Sequence, residues 1–288
     1  MYLNISGPTK SFTSKPNEEM QSSNYILGSF LSLVILSGVC GNILVVYSIL
    51  KEQRLLKSNY YYLVLNLAVV DGLHLLTALR LNYTNWFNAW PLTETAACKI
   101  WLYFEMLLCN CGVQLMAIIC IIRYRAVLQP LKPPISRRKL TLFPLFLFIT
   151  ISIYLTPYIV AFEHSPLKGC YQEWSNKILR LIYTSFTMNV HFLLPVTLMS
   201  VLYYKICRAL ISQANKMNAM LQAEIVPGIQ NSQSGTQEHF QRIRHHRNTK
   251  TFLVSAVSVG IFTITLIPFE IWWISDANDF GILKSDYA

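Results

Sequence analysis

The sequence predicts an all-α protein, a bundle of helices that cross a membrane several times. Of its 288 residues, 53% are apolar and 13% are charged, and the mean hydropathy is +0.38. This balance departs from that of soluble domains towards a chain with several membrane spans. The net charge of +10 comes from Lys and Arg residues in short blocks between apolar runs. Because no single basic patch forms, the charge indicates membrane topology rather than nucleic-acid binding.

Six apolar segments have the length of a transmembrane helix, about 20 residues. The predicted spans are residues 25–50, 60–81, 97–124, 140–162, 178–210 and 249–274. Residues 1–24 are polar and lack an apolar core, so we expect an N-terminal tail followed by a first span that serves as the targeting signal. Residues 211–248 are polar, and we expect them to form a flexible third cytoplasmic loop.

The basic residues set the expected orientation. An extracellular N-terminus places most Lys and Arg residues in the cytoplasm, which predicts a multi-pass plasma-membrane protein. It also places outside the sequons of Asn4 and Asn82, which are candidate glycosylation sites. Cys98 and Cys170 are the only cysteines next to loops on that side. We therefore expect one extracellular disulfide between them.

Two charged residues of the third predicted span, Glu105 and Arg123, are candidates for function. From Cys98 to Arg123 a helix measures roughly 37 Å, against ~30 Å for the hydrocarbon core of a bilayer. Glu105 lies one third of the way along it, where a charge costs at least ~2.5 kcal/mol. We interpret Glu105 as functional, and a structural pair with Arg80 is an equally good interpretation.

Other polar residues lie in the first two predicted spans. Asn42, Asn66 and Asp71 must face other helices. Asp71 is interpreted as functional, whereas the two asparagines fit either interhelical hydrogen bonding or a switch.

Pro157, Pro195 and Pro268 each lie inside a predicted span. Since proline lacks an N–H and its ring clashes with the preceding turn, each predicts a kink.

Together these features resemble the rhodopsin-like (class A) G-protein-coupled receptors over residues 25–274. The resemblance implies a cell-surface receptor rather than an enzyme. Its expected partners are an extracellular small-molecule or peptide ligand, a heterotrimeric G protein and the lipid bilayer, with no cofactor, metal or nucleic acid. The motifs that carry the resemblance are Gly41-Asn42, the run from Asn66 to Asp71, Trp90, Cys98, Arg123-Tyr124, Cys170, Pro195 with Tyr203, and Phe262 with Pro268.

The resemblance also implies roles for individual residues. A polar core of Asn42 and Asp71 is expected. Glu105 stands where many amine receptors hold an acid, which makes a cationic amine or a basic peptide group the expected ligand. The remaining ligand contacts are Phe269 and Glu270, and the cytoplasmic switch consists of Arg123, Tyr124, Tyr203, Phe262 and Pro268.

Several positions depart from the family pattern. The acid that usually precedes the arginine is Ile122, and the acid at the base of the sixth span is replaced by Asn248. Neither side chain forms an ion pair with a guanidinium group, so we predict raised ligand-independent activity. Leu266 replaces a tryptophan, and Gly112 replaces a serine that often completes a sodium site.

Residues 275–288 contain no seventh apolar segment. We expect them to be a truncated extracellular loop, from an incomplete sequence or from a six-span, non-signalling form. A transporter or channel is the competing function, motivated by the charged residues within spans, Asp71, Glu105, Arg123 and Glu270. It predicts repeated halves with broken helices, and the sequence shows no such repeat.

Overall fold

The structure, a computed structural model, describes residues 18–87, 94–165 and 169–224, together with 243, 246, 248–250, 252–261, 263–264 and 267. Helices dominate the described residues, and 252–261 are helical as well. The other elements, in chain order, are α1 (Glu18–Lys51), a 3-10 turn (Leu55–Lys57), α2 (Asn59–Thr77), α3 (Leu79–Phe87), α4 (Thr95–Leu128), α5 (Arg137–Tyr154), α6 (Thr156–Val160), β1 (Phe162–Ser165), β2 (Gly169–Gln172), α7 (Lys177–Thr187), a π-helix (Met188–Leu193) and α8 (Leu194–Glu224).

Within the described part of the chain, five helical segments are long and apolar enough to cross a membrane. Many of their apolar side chains are exposed, among them Ile26, Leu33, Ile153 and Val160. Soluble proteins rarely expose contiguous apolar surface on this scale, and contact with lipid accounts for it. The all-α, multi-pass fold class is therefore confirmed. The five segments are Tyr25–Lys51, Asn59–Thr77, Thr95–Leu128, Arg137–Val160 and Lys177–Lys216.

Some helix ends differ from the sequence expectation. α1 begins at Glu18, inside the expected tail, and α8 continues to Glu224, inside the expected third loop. The residues after Ile211 are polar but rich in Ala, Met, Leu, Gln and Lys, which favour helix, and no Gly or Pro occurs before Pro227. Polarity therefore marks the point where α8 leaves the apolar environment, and not the point where the helix stops.

Two of the prolines expected to kink a helix lie where the helices are interrupted, as predicted, whereas Pro144 lies inside a continuous α5. α5 and α6 are separated at Leu155, directly ahead of the first turn that holds Pro157. The π-helix runs up to the turn that contains Pro195, whose side chain is fully buried. A wider π turn accommodates the ring that would otherwise clash with the preceding carbonyl. Pro268 lies outside the described residues.

A short β-hairpin follows α6 and was not predicted from the sequence. β1 pairs antiparallel with β2, and His164 lies opposite Cys170. The helical part of the fourth predicted span therefore ends with α6 at Val160, two residues before the predicted end of 140–162. Four-residue strands carry too little alternation of polar and apolar residues to be recognised in sequence.

The predicted disulfide is confirmed and ties this hairpin to α4. Cys98 and Cys170 are bonded, with their Cα atoms 5.8 Å apart. An ion pair joins the same two elements, with 3.2 Å between Lys99 Nζ and Glu163 Oε1. The hairpin is thus held to the start of α4 by one covalent and one electrostatic contact.

The chain forms two compact units. The first unit comprises Met1–Ser48, Ala68–Cys109 and Ile151–Glu173, and the second comprises Ile49–Leu67, Asn110–Thr150 and Trp174–Ala288. In the first unit, Gly38 of α1 packs closely against α2: an added Cβ would lie 2.6 Å from Leu75 Cδ1, so the Leu75 side chain would have to shift. In the second unit, a buried apolar cluster joins α4 to α8 through residues that include Met116, Cys120, Met199, Tyr203 and Ile206.

Candidate functional site

Glu105, the acidic residue of the third predicted span, is paired in the structure. Arg80 Nη2 donates to Glu105 Oε2 at 3.2 Å, between α3 and α4 of the first unit. The two side chains are 8% and 16% exposed, so each charge is compensated where water cannot solvate it. Beside this pair, Trp101 Nε1 donates to the Thr77 carbonyl at 3.1 Å and connects α4 to the end of α2. The expected pairing of Glu105 with Arg80 is thus observed, and a contact between Glu105 and a ligand stays a prediction.

The two candidate polar-core residues lie on neighbouring helices of the first unit. Asn42 Nδ2 donates to the Gly38 carbonyl at 3.0 Å within α1. A Cβ placed on Gly72, which follows Asp71 in α2, would lie 3.8 Å from Asn42 Cβ. Among the hydrogen bonds of the described residues, none joins Asn42 to Asp71 directly. The two helices approach each other at this level, and the polar core stays a prediction.

The candidate switch residue Arg123 lies near the end of α4 in the second unit. Its guanidinium carbon is 3.3 Å from the centroid of the Tyr60 ring, at the start of α2. This is a close cation–π contact, which is worth ~2 kcal/mol or more when it is shielded from water. The Nε of Arg123 is buried and has no hydrogen-bond partner among the residues described. The neighbouring Ile122 and Asn248 line the same cavity as Arg123 and supply no acid.

Tyr60 is the functional candidate that sequence reasoning missed. It opens a run of three tyrosines, Tyr60 to Tyr62, next to the basic block around residue 57. A second tyrosine of the run makes the same type of contact, because the guanidinium carbon of Arg137 lies 4.6 Å from the centroid of the Tyr62 ring. Consecutive tyrosines beside a basic block were therefore the available signal for cation–π contacts.

Tyr203, the candidate support for Arg123, is buried in α8. Its ring centroid lies 5.7 Å from that of Phe252, and its side chain hydrogen-bonds with Ser255. Tyr203 also lies within electrostatic range of Arg123. Tyr124 packs against the same apolar cluster, so both tyrosines belong to the packed part of the second unit.

Most of the remaining predicted site residues lie outside the residues that the structure describes. Asn4 and the ligand and switch candidates after residue 261, namely Phe262, Pro268, Phe269 and Glu270, lie outside them. Asn82 lies within α3, and its glycosylation stays a prediction. The truncated loop expected at 275–288 also lies outside the described part of the chain.

A chain of several membrane-spanning helices, with a disulfide-tethered hairpin and a partly buried arginine near the end of α4, has the organisation of a transmembrane receptor. The chain belongs to the rhodopsin family of seven-transmembrane receptors, because the family's sequence description matches residues 41–284. The family resemblance of the sequence is therefore confirmed.

Individual relatives are receptors for amines and for peptides. The octopamine receptor beta-2R of Drosophila melanogaster is 24% identical over 84% of this chain and 50% of its own length. The D(1) dopamine receptor of Carassius auratus is 25% identical over 88% of this chain and 75% of its own. Neuropeptide FF receptor 1 of Rattus norvegicus is 26% identical over 66% of this chain and 48% of its own. The chain thus spans about half the length of the octopamine and neuropeptide receptors.

Proposed function

We propose that this protein is a plasma-membrane receptor with an extracellular N-terminus, which responds to an amine or a basic peptide and activates a heterotrimeric G protein. Family membership and the names of the relatives support the ligand classes. The observation that carries the signalling part is the position of Arg123, which is held by a neutral aromatic ring. A neutral contact of this size can be exchanged for contacts with a protein partner when the helices repack.

Glu105 is the proposed anionic contact for a cationic ligand, and Arg80 is its competitor. A ligand cation must replace the Arg80 guanidinium or approach the carboxylate beside it. Because a charged partner at this depth is strongly favoured, the ligand should itself be a compact cation rather than a neutral molecule.

The direct test is activation of G proteins in cells that express the full chain. Octopamine, dopamine, a tachykinin-like peptide and neuropeptide FF form the first ligand panel, chosen from the relatives' names. We expect at least one amine or basic peptide to raise G-protein turnover, and Arg123→Ala to abolish the response while ligand binding persists. Binding accompanied by unchanged turnover for both proteins would contradict G-protein coupling.

Loss of the Tyr60 ring is expected to raise ligand-independent activity. Tyr60→Ala removes the cation–π contact that holds Arg123 and should increase basal G-protein turnover roughly tenfold, since ~1.4 kcal/mol shifts a two-state population by that factor. Tyr60→Phe keeps the ring and serves as the matched control, with basal turnover close to that of the wild type. Equal turnover in the Ala and Phe variants would show that the ring does not restrain Arg123.

An acid beside Arg123 is expected to have the opposite effect. Ile122→Asp places a carboxylate next to the guanidinium and should lower basal turnover by stabilising the inactive packing. The neutral variant Ile122→Asn controls for the change in size and polarity. Unchanged basal turnover in Ile122→Asp, measured in membranes with matched receptor amounts, would exclude an electrostatic restraint at this position.

A further inference from the structure

A cavity of about 790 Å³ lies in the second unit, between the start of α2, the end of α4 and the loop of residues 129–136. Its volume is that of a pocket for a small molecule or a headgroup. None of the lining residues that the structure describes is acidic. Five are cationic, namely Lys57, Arg123, Arg125, Lys132 and Arg137.

The guanidinium groups of this cavity are held by neutral partners. Arg125 Nη2 donates to the Pro133 carbonyl at 3.0 Å, and Arg137 Nη2 donates to the Leu56 carbonyl. Arg123 lies over an aromatic ring, as described above. Carbonyls and rings fix the position of a cation without neutralising it. The ion pairs found among the described residues involve none of the five cavity cations. The cavity therefore keeps a concentrated positive charge.

We propose that this cavity binds the headgroup of a lipid that carries several phosphate groups, of the phosphoinositide class. Each phosphate monoester brings between one and two negative charges and three acceptor oxygens. The planar guanidinium groups of Arg125 and Arg137 retain N–H donors for bidentate contacts with phosphate. Lys57 and Lys132 add mobile point charges at the cavity wall. A ligand with several phosphates matches five cations better than a lipid with a single net charge.

The position of the cavity favours a lipid over a soluble anion. It is bounded by Asn59, the first residue of α2, and by the residues that end α4, so it lies at the border between the membrane and water. The proposed orientation, on which the inference depends, places this border at the cytoplasmic leaflet. Anionic headgroups are presented there, and basic pockets between transmembrane helices are known to bind them.

The test measures lipid binding to the purified full chain in phosphatidylcholine nanodiscs, which expose both faces of the membrane. A phosphatidylinositol bisphosphate is compared with phosphatidylserine at matched total charge, and the bound lipid is counted by native mass spectrometry. We expect preferential retention of the bisphosphate. Soluble inositol trisphosphate should displace it in proportion to concentration. Since no G protein is present, the result does not depend on the proposed coupling.

Two matched double variants distinguish a specific binding site from nonspecific electrostatic attraction. Lys57→Gln/Lys132→Gln removes two charges from the cavity wall and should weaken binding roughly thirty-fold. Arg138→Gln/Lys139→Gln removes two exposed charges that do not line the cavity and should weaken binding less than threefold. Both pairs of residues lie at helix ends or in loops, so folding is retained.

Four outcomes overturn the inference, the last of them measured by adding a glutamate-rich peptide as a competitor. Equal losses in the two double variants, or equal retention of phosphatidylserine, mean that the attraction is diffuse. Binding of soluble inositol trisphosphate without retention of the lipid means that the source is a free phosphate. Displacement only by a glutamate-rich peptide assigns the cavity to an acidic segment of a protein partner.

Discussion

Replacing Glu105 with glutamine is expected to lower the free energy of unfolding by about 3–5 kcal/mol, because it removes the carboxylate that compensates a largely buried guanidinium group. Arg80 and Glu105 are 8% and 16% exposed and 3.2 Å apart, so water cannot take over the role of the lost partner. Thermal melting of the purified protein in nanodiscs measures the loss. At this depth the variant should also express poorly at the cell surface.

A double-mutant cycle separates the structural role of Glu105 from ligand binding. Arg80→Met/Glu105→Gln removes both charges and should recover part of the stability lost in either single variant. If Glu105 also contacts the ligand, the double variant still binds cationic ligands far more weakly than the wild type and binds neutral ligands normally. Normal stability in Glu105→Gln would contradict the structural pair. Equal losses for cationic and neutral ligands would contradict the ligand contact.

The spans and the disulfide were readable from the sequence because their signals are local or follow from topology. A run of about 20 apolar residues specifies a membrane helix wherever it packs. Cys98 and Cys170 were identified by elimination, as the two cysteines beside loops on one side. Neither inference required knowledge of which helices touch. The disulfide is confirmed. Five helices of the described residues are long and apolar enough to cross a membrane, and the sixth predicted span lies partly outside those residues.

The contacts of the charged residues could be predicted only in part. The Arg80–Glu105 pair was one of two open interpretations, because it depends on how α3 approaches α4. That approach follows a break in the helix at Ala78, inside a segment predicted as one continuous span, 60–81. The lack of an acid for Arg123 was predictable from Ile122 and Asn248. Its aromatic partner was signalled only by the run of tyrosines, which does not indicate which arginine each ring contacts.

The hairpin after α6 shows why short elements are missed. β1 has the sequence Phe-Glu-His-Ser, and β2 has Gly-Cys-Tyr-Gln. Neither has the length or the β-branched composition that marks a strand, so we infer that the pairing depends on the tether to α4. The hairpin is therefore a product of tertiary contacts, which makes the tether the feature to test.

Removing the disulfide is expected to destabilise the receptor by about 4 kcal/mol, whereas removing the neighbouring ion pair should matter little. Cys98 and Cys170 are separated by 72 positions. Without the disulfide the unfolded chain regains the conformational entropy that closing a loop of this length removes, and this gain corresponds to about 4 kcal/mol. Lys99→Gln breaks the ion pair with Glu163. The Lys99 side chain is 29% exposed and that of Glu163 is 42% exposed. Exposed pairs of this kind contribute about 0.2–1 kcal/mol.

The two variants make a matched comparison, because both contacts join the hairpin to the first turns of α4. Cys98→Ser/Cys170→Ser should lower the melting temperature strongly and make it insensitive to reducing agent, while Lys99→Gln should melt near the wild type and stay sensitive. Wild-type protein after reduction should then melt like the double serine variant. If the Lys99→Gln variant loses as much stability as the double serine variant, the hairpin is held mainly by charge, and the entropic account of the tether is wrong.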